Sequence, residues 1–131
     1  MPSQIRVSTP SRLCLFGEHQ DYLGLEVIAV AIDLRFSATV SDRADRLITI
    51  AIRDSKLDRL DSVNDGGQYE YLTIDLDQPI QYASKRDYLR SRVNVLHKHG
   101  YALRGMDLKL DSNIPIGKGM CSSSTMIVVL I

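Results

Sequence analysis

The sequence has no surplus of charge of either sign, and that lack removes two classes of partner at once. Sixteen basic residues offset sixteen acidic ones over 131 residues, so no overall field gathers the chain onto nucleic acid or an anionic membrane. No apolar run approaches the roughly 20 residues that span a bilayer, and Met1 to Thr9 lacks the apolar core of a secretory signal. The expectation is a cytoplasmic protein that meets a small molecule, with neither nucleic acid nor membrane as partner. Only two cysteines are present, Cys14 in an apolar segment and Cys121 in a loop. They are too few and too unlike in setting for a disulfide scaffold or a zinc site, and both are read as reduced thiols. Internal repeats and low-complexity segments are also missing, and the length suits one compact core rather than two domains.

What is present is a globular share of apolar residues, 44%, arranged at two periods. Ile5 to Ser8 and Leu13 to Phe16 read as short strands with a turn at Pro10, which interrupts a sheet ladder. Val27 to Ser41 reads as one long, bent strand with Ile32, Leu34, Phe36, Ala38 and Val40 on a single face. In Arg46 to Arg53, Leu47, Thr49 and Ala51 alternate with Ile48, Ile50 and Ile52. Tyr69 to Leu76 repeats the habit after the turn signal Asn64-Asp65-Gly66-Gly67. These two read as strands of an antiparallel meander, and the polar stretch from Lys56 to Gly67 as a surface connection.

Ser84 to Gly100 reads as a helix, with Ser84 as N-cap, Asp87 three residues on, an apolar stripe of Leu89, Val93 and Leu96, and Gly100 just past the end. Met106, Leu108 and Leu110 alternate with Asp107, Lys109 and Asp111, a strand leading to a helix that begins near Ser122. The fold class is α+β, a mixed sheet with helices on one face. The apolar ending Met126 to Ile131 leaves a helix with little to pack against, so the chain reads as a truncated piece of a longer protein.

Between that last strand and helix lies Asn113-Ile114-Pro115-Ile116-Gly117-Lys118-Gly119-Met120-Cys121-Ser122-Ser123-Ser124-Thr125. Gly117 and Gly119 permit a tight turn and a close approach to a ligand, and the serines place unpaired amides at a helix N-terminus, aimed at an anion. The pattern is that of a phosphate cradle. It is not the Walker A loop, because Ser112 stands at the first glycine position and Gly119, rather than Ser or Thr, follows Lys118.

A second cluster spans Pro10 to Gly24, where Arg12, Glu18, His19 and Asp21 lie on a glycine-bearing turn directly after a strand. Taken singly, each of these charges is what a solvated loop carries. Together they suit hydroxyl recognition: carboxylates accept paired hydrogen bonds from a polyol, His19 donates or accepts, and Arg12 is a permanent cation. A protein-held metal is excluded there, because no second histidine or cysteine stands at ligand spacing.

The two segments together resemble the family of galactokinase, homoserine kinase, mevalonate kinase and phosphomevalonate kinase (GHMP kinases). Leu15-Phe16-Gly17-Glu18-His19 is similar to the early motif shared by galactokinases and mevalonate kinases, and Asp21-Tyr22 extends it in the galactokinase manner. Pro115-x-Gly117-x-Gly119-Met120-x-Ser122-Ser123 resembles the family's phosphate loop. The resemblance covers almost the whole chain in order and spacing, and is strongest to galactokinase-like sugar kinases.

It implies an amino-terminal kinase domain like domain 2 of ribosomal protein S5, with a ferredoxin-like carboxy-terminal domain, the catalytic aspartate and a third glycine motif all absent from residues 1–131. It implies ATP and magnesium as cofactors, a monosaccharide as substrate, and transfer of the γ-phosphoryl of ATP to a hydroxyl, chemistry that rests on positioning and charge stabilisation. Arg12 is implied as the catalytic cation beside the transferred phosphoryl, with Glu18, His19 and Asp21 as ligands of the sugar hydroxyls. Pro115, Gly117, Lys118, Gly119, Met120, Cys121, Ser122, Ser123 and Ser124 are implied to wrap the ATP phosphates, with the Ser123 hydroxyl on the magnesium side.

The chain also departs from the galactokinase pattern. Ser11, Cys14 and Phe16 replace the usual Gly, Asn and Ile, Gln20 and Leu23 replace Thr and Asn, and Cys121 replaces a serine or glycine. A sugar other than galactose is therefore in view. The alternatives are a non-catalytic sugar- or nucleotide-binding module, a kinase of a non-sugar alcohol such as mevalonate, and a purely structural domain.

Overall fold

The computed structural model describes residues 3–53, 69–114 and 120–131. Along the chain come β1 (Gln4–Phe16), a short 3-10 turn (Asp21–Leu23), β2 (Ile28–Asp42), β3 (Leu47–Arg53), β4 (Tyr69–Asp75), α1 (Tyr88–Lys98), β5 (Met106–Ser112) and α2 (Ser122–Val129). The strands form one sheet in the order β1-β2-β5-β3-β4. The β3–β5 pairing is parallel, and the other three pairings are antiparallel. The expected mixed α+β sheet is present.

The face assignments follow from side-chain alternation. Ile48, Ile50 and Ile52 of β3, Phe36 and Ala38 of β2, Leu108 and Leu110 of β5, and Leu72 and Ile74 of β4 are all buried on one face, under Leu89 and Val93 of α1 and Met126 and Val129 of α2. Each such aliphatic side chain taken from water contributes about 1.5–3 kcal/mol. The opposite face is polar, carrying Thr39, Ser41, Thr49 and Lys109, with the Lys109 ammonium 4.7 Å above the Tyr69 ring.

Three expectations need correction. β3 and β4 do form an antiparallel hairpin, but they are not part of a meander running from β2. β5 enters between β2 and β3, parallel to β3, after the crossover through α1. Alternation fixes which face a residue occupies and leaves the neighbouring strand open, and the order is set by long-range packing of Leu108 and Leu110.

Pro10 makes no turn. β1 runs through it as the sheet's edge strand, where a missing N–H leaves no ladder bond unmade, and the break is absorbed as a register shift: Pro10 pairs with Arg35 and Ser11 with Ile32.

The helix begins at Tyr88 rather than Ser84, because Asp87 caps it. One carboxylate oxygen of Asp87 accepts the Arg90 amide at 3.2 Å, and the other accepts the Ala83 amide and the Arg90 guanidinium, each at 2.9 Å. Gly100 does stand past the end, at φ 81°, and its N–H donates to His97 while that of Tyr101 reaches Leu96, a Schellman closure. The turn signal at Asn64 to Gly67 and the connection from Lys56 lie outside the described residues.

At the β2–β3 corner, Arg43 donates to Asp45 and to Asp107 at 2.8 Å, and its amide donates to the Gly105 carbonyl at 3.1 Å. The hydrogen bonds from Arg43 hold the Asp45 carboxyl down at about 2. A Cβ at Gly105 would lie 1.9 Å from the Asp45 carbonyl oxygen, so only glycine fits there.

Beyond β5, Ser11 to Phe16 and Ile28 to Ile32 continue as a two-stranded ribbon, since β5 reaches only Phe36 to Asp42 of β2. α2 packs across β1 and β2 beside this ribbon, which brings its N-terminus to the start of the candidate hydroxyl-binding segment. Among the described residues no helix is long and apolar enough to cross a membrane.

Candidate phosphoryl-transfer site

The N-terminus of α2 is built from an unusual cap. Cys121 takes the N-cap position at φ 54° and ψ 42°, the only non-glycine with positive φ among the described residues, and its side chain caps nothing. A left-handed L-residue costs about 1–2 kcal/mol, so its surroundings must hold it there. They do so from several directions. The Cys121 carbonyl accepts the Thr125 amide at 3.0 Å and the Thr125 hydroxyl at 2.8 Å. The Arg12 guanidinium donates to the Cys121 sulfur at 2.7 Å. One residue earlier, the hydroxyl of the fully buried Ser11 donates to the Met120 carbonyl, and Met120 itself leans on the core.

This cap leaves the amides of Ser122, Ser123 and Ser124, the first three of α2, without helical acceptors. Amides in this position can bind an anion, and the positive end of the helix dipole favours one. Ser123 is half-buried and Ser124 exposed. Backbone amides, serine hydroxyls and the Arg12 cation form a donor set suited to phosphate, and the Ser123 hydroxyl could face a magnesium ion bound there. Of the other residues expected at this loop, Met120 and Cys121 are placed as described, while Pro115, Gly117, Lys118 and Gly119 lie outside the described residues.

The hydroxyl-side residues sit on the turn after β1. Gly17, at φ 87°, opens it, and backbone bonds close it: Gln20 to Gly17 at 2.9 Å, Leu23 to Gln20 at 3.0 Å and Gly24 to Asp21 at 3.0 Å. Glu18, His19 and Asp21 are all exposed. Asp21 accepts the Tyr22 amide at 2.9 Å. No hydrogen bond among the described residues joins these three side chains to Arg12 or to α2. Phe16, Tyr22 and Leu23 present exposed apolar surface around them. The site therefore has two parts, with Arg12 tied to the phosphate side. Ser11 and Thr125 hold the cap of α2, and neither motif singles them out for that. The one sequence signal for Ser11 is its place where galactokinases carry glycine.

A mixed sheet under two helices, with a helix N-terminus meeting the strand that leads into the exposed Gly17 to Gly24 turn, is the arrangement expected of the amino-terminal domain that the sequence resembles. Two family models agree. Residues 2–42 match the galactokinase galactose-binding signature, and residues 87–131 match the GHMP kinases N-terminal domain. Both signatures are those of GHMP kinases, the family that the sequence resembles.

Among curated proteins it is 28% identical over 128 residues to a mevalonate kinase of Thermococcus sibiricus, a match covering 98% of this chain and 37% of the relative. Among solved structures it superposes on galactokinase of Lactococcus lactis complexed with galactose at a TM-score of 0.75 and 22% identity, covering 98% of this chain and 31% of that one. The mevalonate kinase of Methanococcus jannaschii gives a TM-score of 0.71 at 23% identity, covering 96% and 38%. The chain thus spans about a third of the length of these relatives.

Proposed function

We propose that this chain is the amino-terminal domain of a cytoplasmic, ATP-dependent sugar kinase. The observation that carries the reading is the meeting of Ser11 and Arg12 with Met120 and Cys121, 109 residues apart in sequence, which joins the strand leading into the hydroxyl-side turn to the phosphate-side helix. ATP, when bound with magnesium, supplies the γ-phosphoryl group and the metal's charge. The Ser122 to Ser124 amides would hold phosphate oxygens, and the Ser123 hydroxyl would stand on the magnesium side. Arg12 stabilises charge that develops during transfer, a role for a fixed cation in a reaction governed by electrostatics. Glu18, His19 and Asp21 fix the acceptor by its hydroxyls, and Phe16 and Tyr22 offer apolar surface to its carbon face.

The galactose-binding signature over residues 2–42 favours a sugar. A second reading, phosphorylation of an acyclic alcohol such as mevalonate, draws on the Thermococcus relative. A panel of monosaccharides, mevalonate and homoserine, assayed with magnesium and ATP on the protein carrying its natural continuation, separates the two. Sugar turnover is expected, and turnover of mevalonate with no sugar turnover would overturn the sugar assignment.

A further inference from the structure

We propose that Ser11 is a positioning residue for phosphate binding, acting through the Met120–Cys121 peptide on the amides at the start of α2. The inference rests on the proposed function in that the bound group is taken to be a nucleotide phosphate. Ser11 is fully buried at the register shift of β1, and its hydroxyl donates to the Met120 carbonyl. That carbonyl belongs to the peptide leading directly into Cys121, whose left-handed backbone sets the direction in which the next three amides point. Thr125 holds the far side of the same residue through its amide and hydroxyl, and Arg12 holds the sulfur. Of these three, only Ser11 is fully buried. A residue without a hydroxyl there would leave the Met120 carbonyl without this donor.

The consequence is directional. Removing the Ser11 hydroxyl frees the Met120–Cys121 peptide to rotate, which lengthens the Thr125 amide bond to Cys121 and scatters the amides of Ser122 to Ser124. The hydroxyl-side turn is closed by its own backbone bonds from Gly17 to Leu25 and is untouched.

The test compares Ser11→Ala and Ser11→Thr with the wild type in two readouts. In amide hydrogen exchange, Ser11→Ala is expected to speed Thr125 about fivefold, the worth of one hydrogen bond, relative to the sheet amide of Ile50. Titration with magnesium and ATP is expected to weaken by a similar factor while monosaccharide affinity stays within about twofold. Ser11→Thr, which keeps the hydroxyl, is expected to restore both. Equal acceleration of Thr125 and Ile50, or loss of sugar and nucleotide affinity together, would reduce Ser11 to a general stabiliser and overturn the proposal. If the wild type binds no nucleotide, the proposed function fails, whereas Thr125 exchange still decides whether Ser11 sets the turn.

Discussion

The two halves of the proposed site are built in opposite ways. The phosphate side, Met120 to Thr125, is held by contacts from β1, more than a hundred residues away in the chain, and by the core beneath Met126. The hydroxyl side, Gly17 to Gly24, is held by its own turn bonds and stands in solvent with Glu18, His19 and Asp21 exposed. A binding element fixed by tertiary packing shares the stability of the fold, whereas one fixed by local turns can be altered with little cost elsewhere.

The largest effect that would sharpen this contrast is expected from Met126→Ala. Met126 is 1% exposed beneath α2, and truncating such a side chain costs about 2–5 kcal/mol. Denaturant unfolding should show that loss, and nucleotide affinity should fall with it. Loss of nucleotide affinity without loss of stability would break the link between core and phosphate side.

Gly17→Ala comes next. Its positive φ and a Cβ placed 2.9 Å from the Glu26 carbonyl oxygen strain the turn itself, at about 1–3 kcal/mol. Monosaccharide affinity should fall while the nucleotide titration stays unchanged. Gly24→Ala is milder, because nothing lies within 4 Å of the added Cβ and only the left-handed backbone, worth about 1 kcal/mol, opposes it.

The smallest effect is a control distant from both halves. Asp45 has its carboxyl depressed to about 2 in the folded state by Arg43. It contributes stability above its ordinary value of 3.8, and that contribution is lost as pH falls through about 2. Arg43→Gln should flatten this acid-side slope and leave both ligand titrations alone, as a pH series of unfolding midpoints would record.

How much of this was legible in the sequence follows the same division. The face of each strand could be read from alternation, as with Ile48, Ile50 and Ile52, because alternation is a local property of the backbone. The position of β5 could not, because Leu108 and Leu110 find their neighbours only through long-range packing. Ser84 and Asp87 both have cap chemistry, and the choice fell to Asp87 because two carboxylate oxygens satisfy Ala83 and Arg90 together. Pro10 read as a break, yet at an edge its missing N–H is harmless. The two motifs of the site were visible as residues. Their meeting through Ser11 and Arg12 was not, because that contact is tertiary and Ser11 carries no signal beyond standing where a glycine is usual.

The most direct test of the central claim is amide chemical-shift mapping of residues 1–131 during separate titrations with magnesium-ATP and with a panel of monosaccharides. Nucleotide is expected to move the amides of Ser123, Ser124 and Thr125 with the Arg12 side chain, and a recognised sugar to move Glu18, His19 and Asp21. Nucleotide shifts that bypass the start of α2, or sugar shifts centred away from the Gly17 to Gly24 turn, would contradict the account.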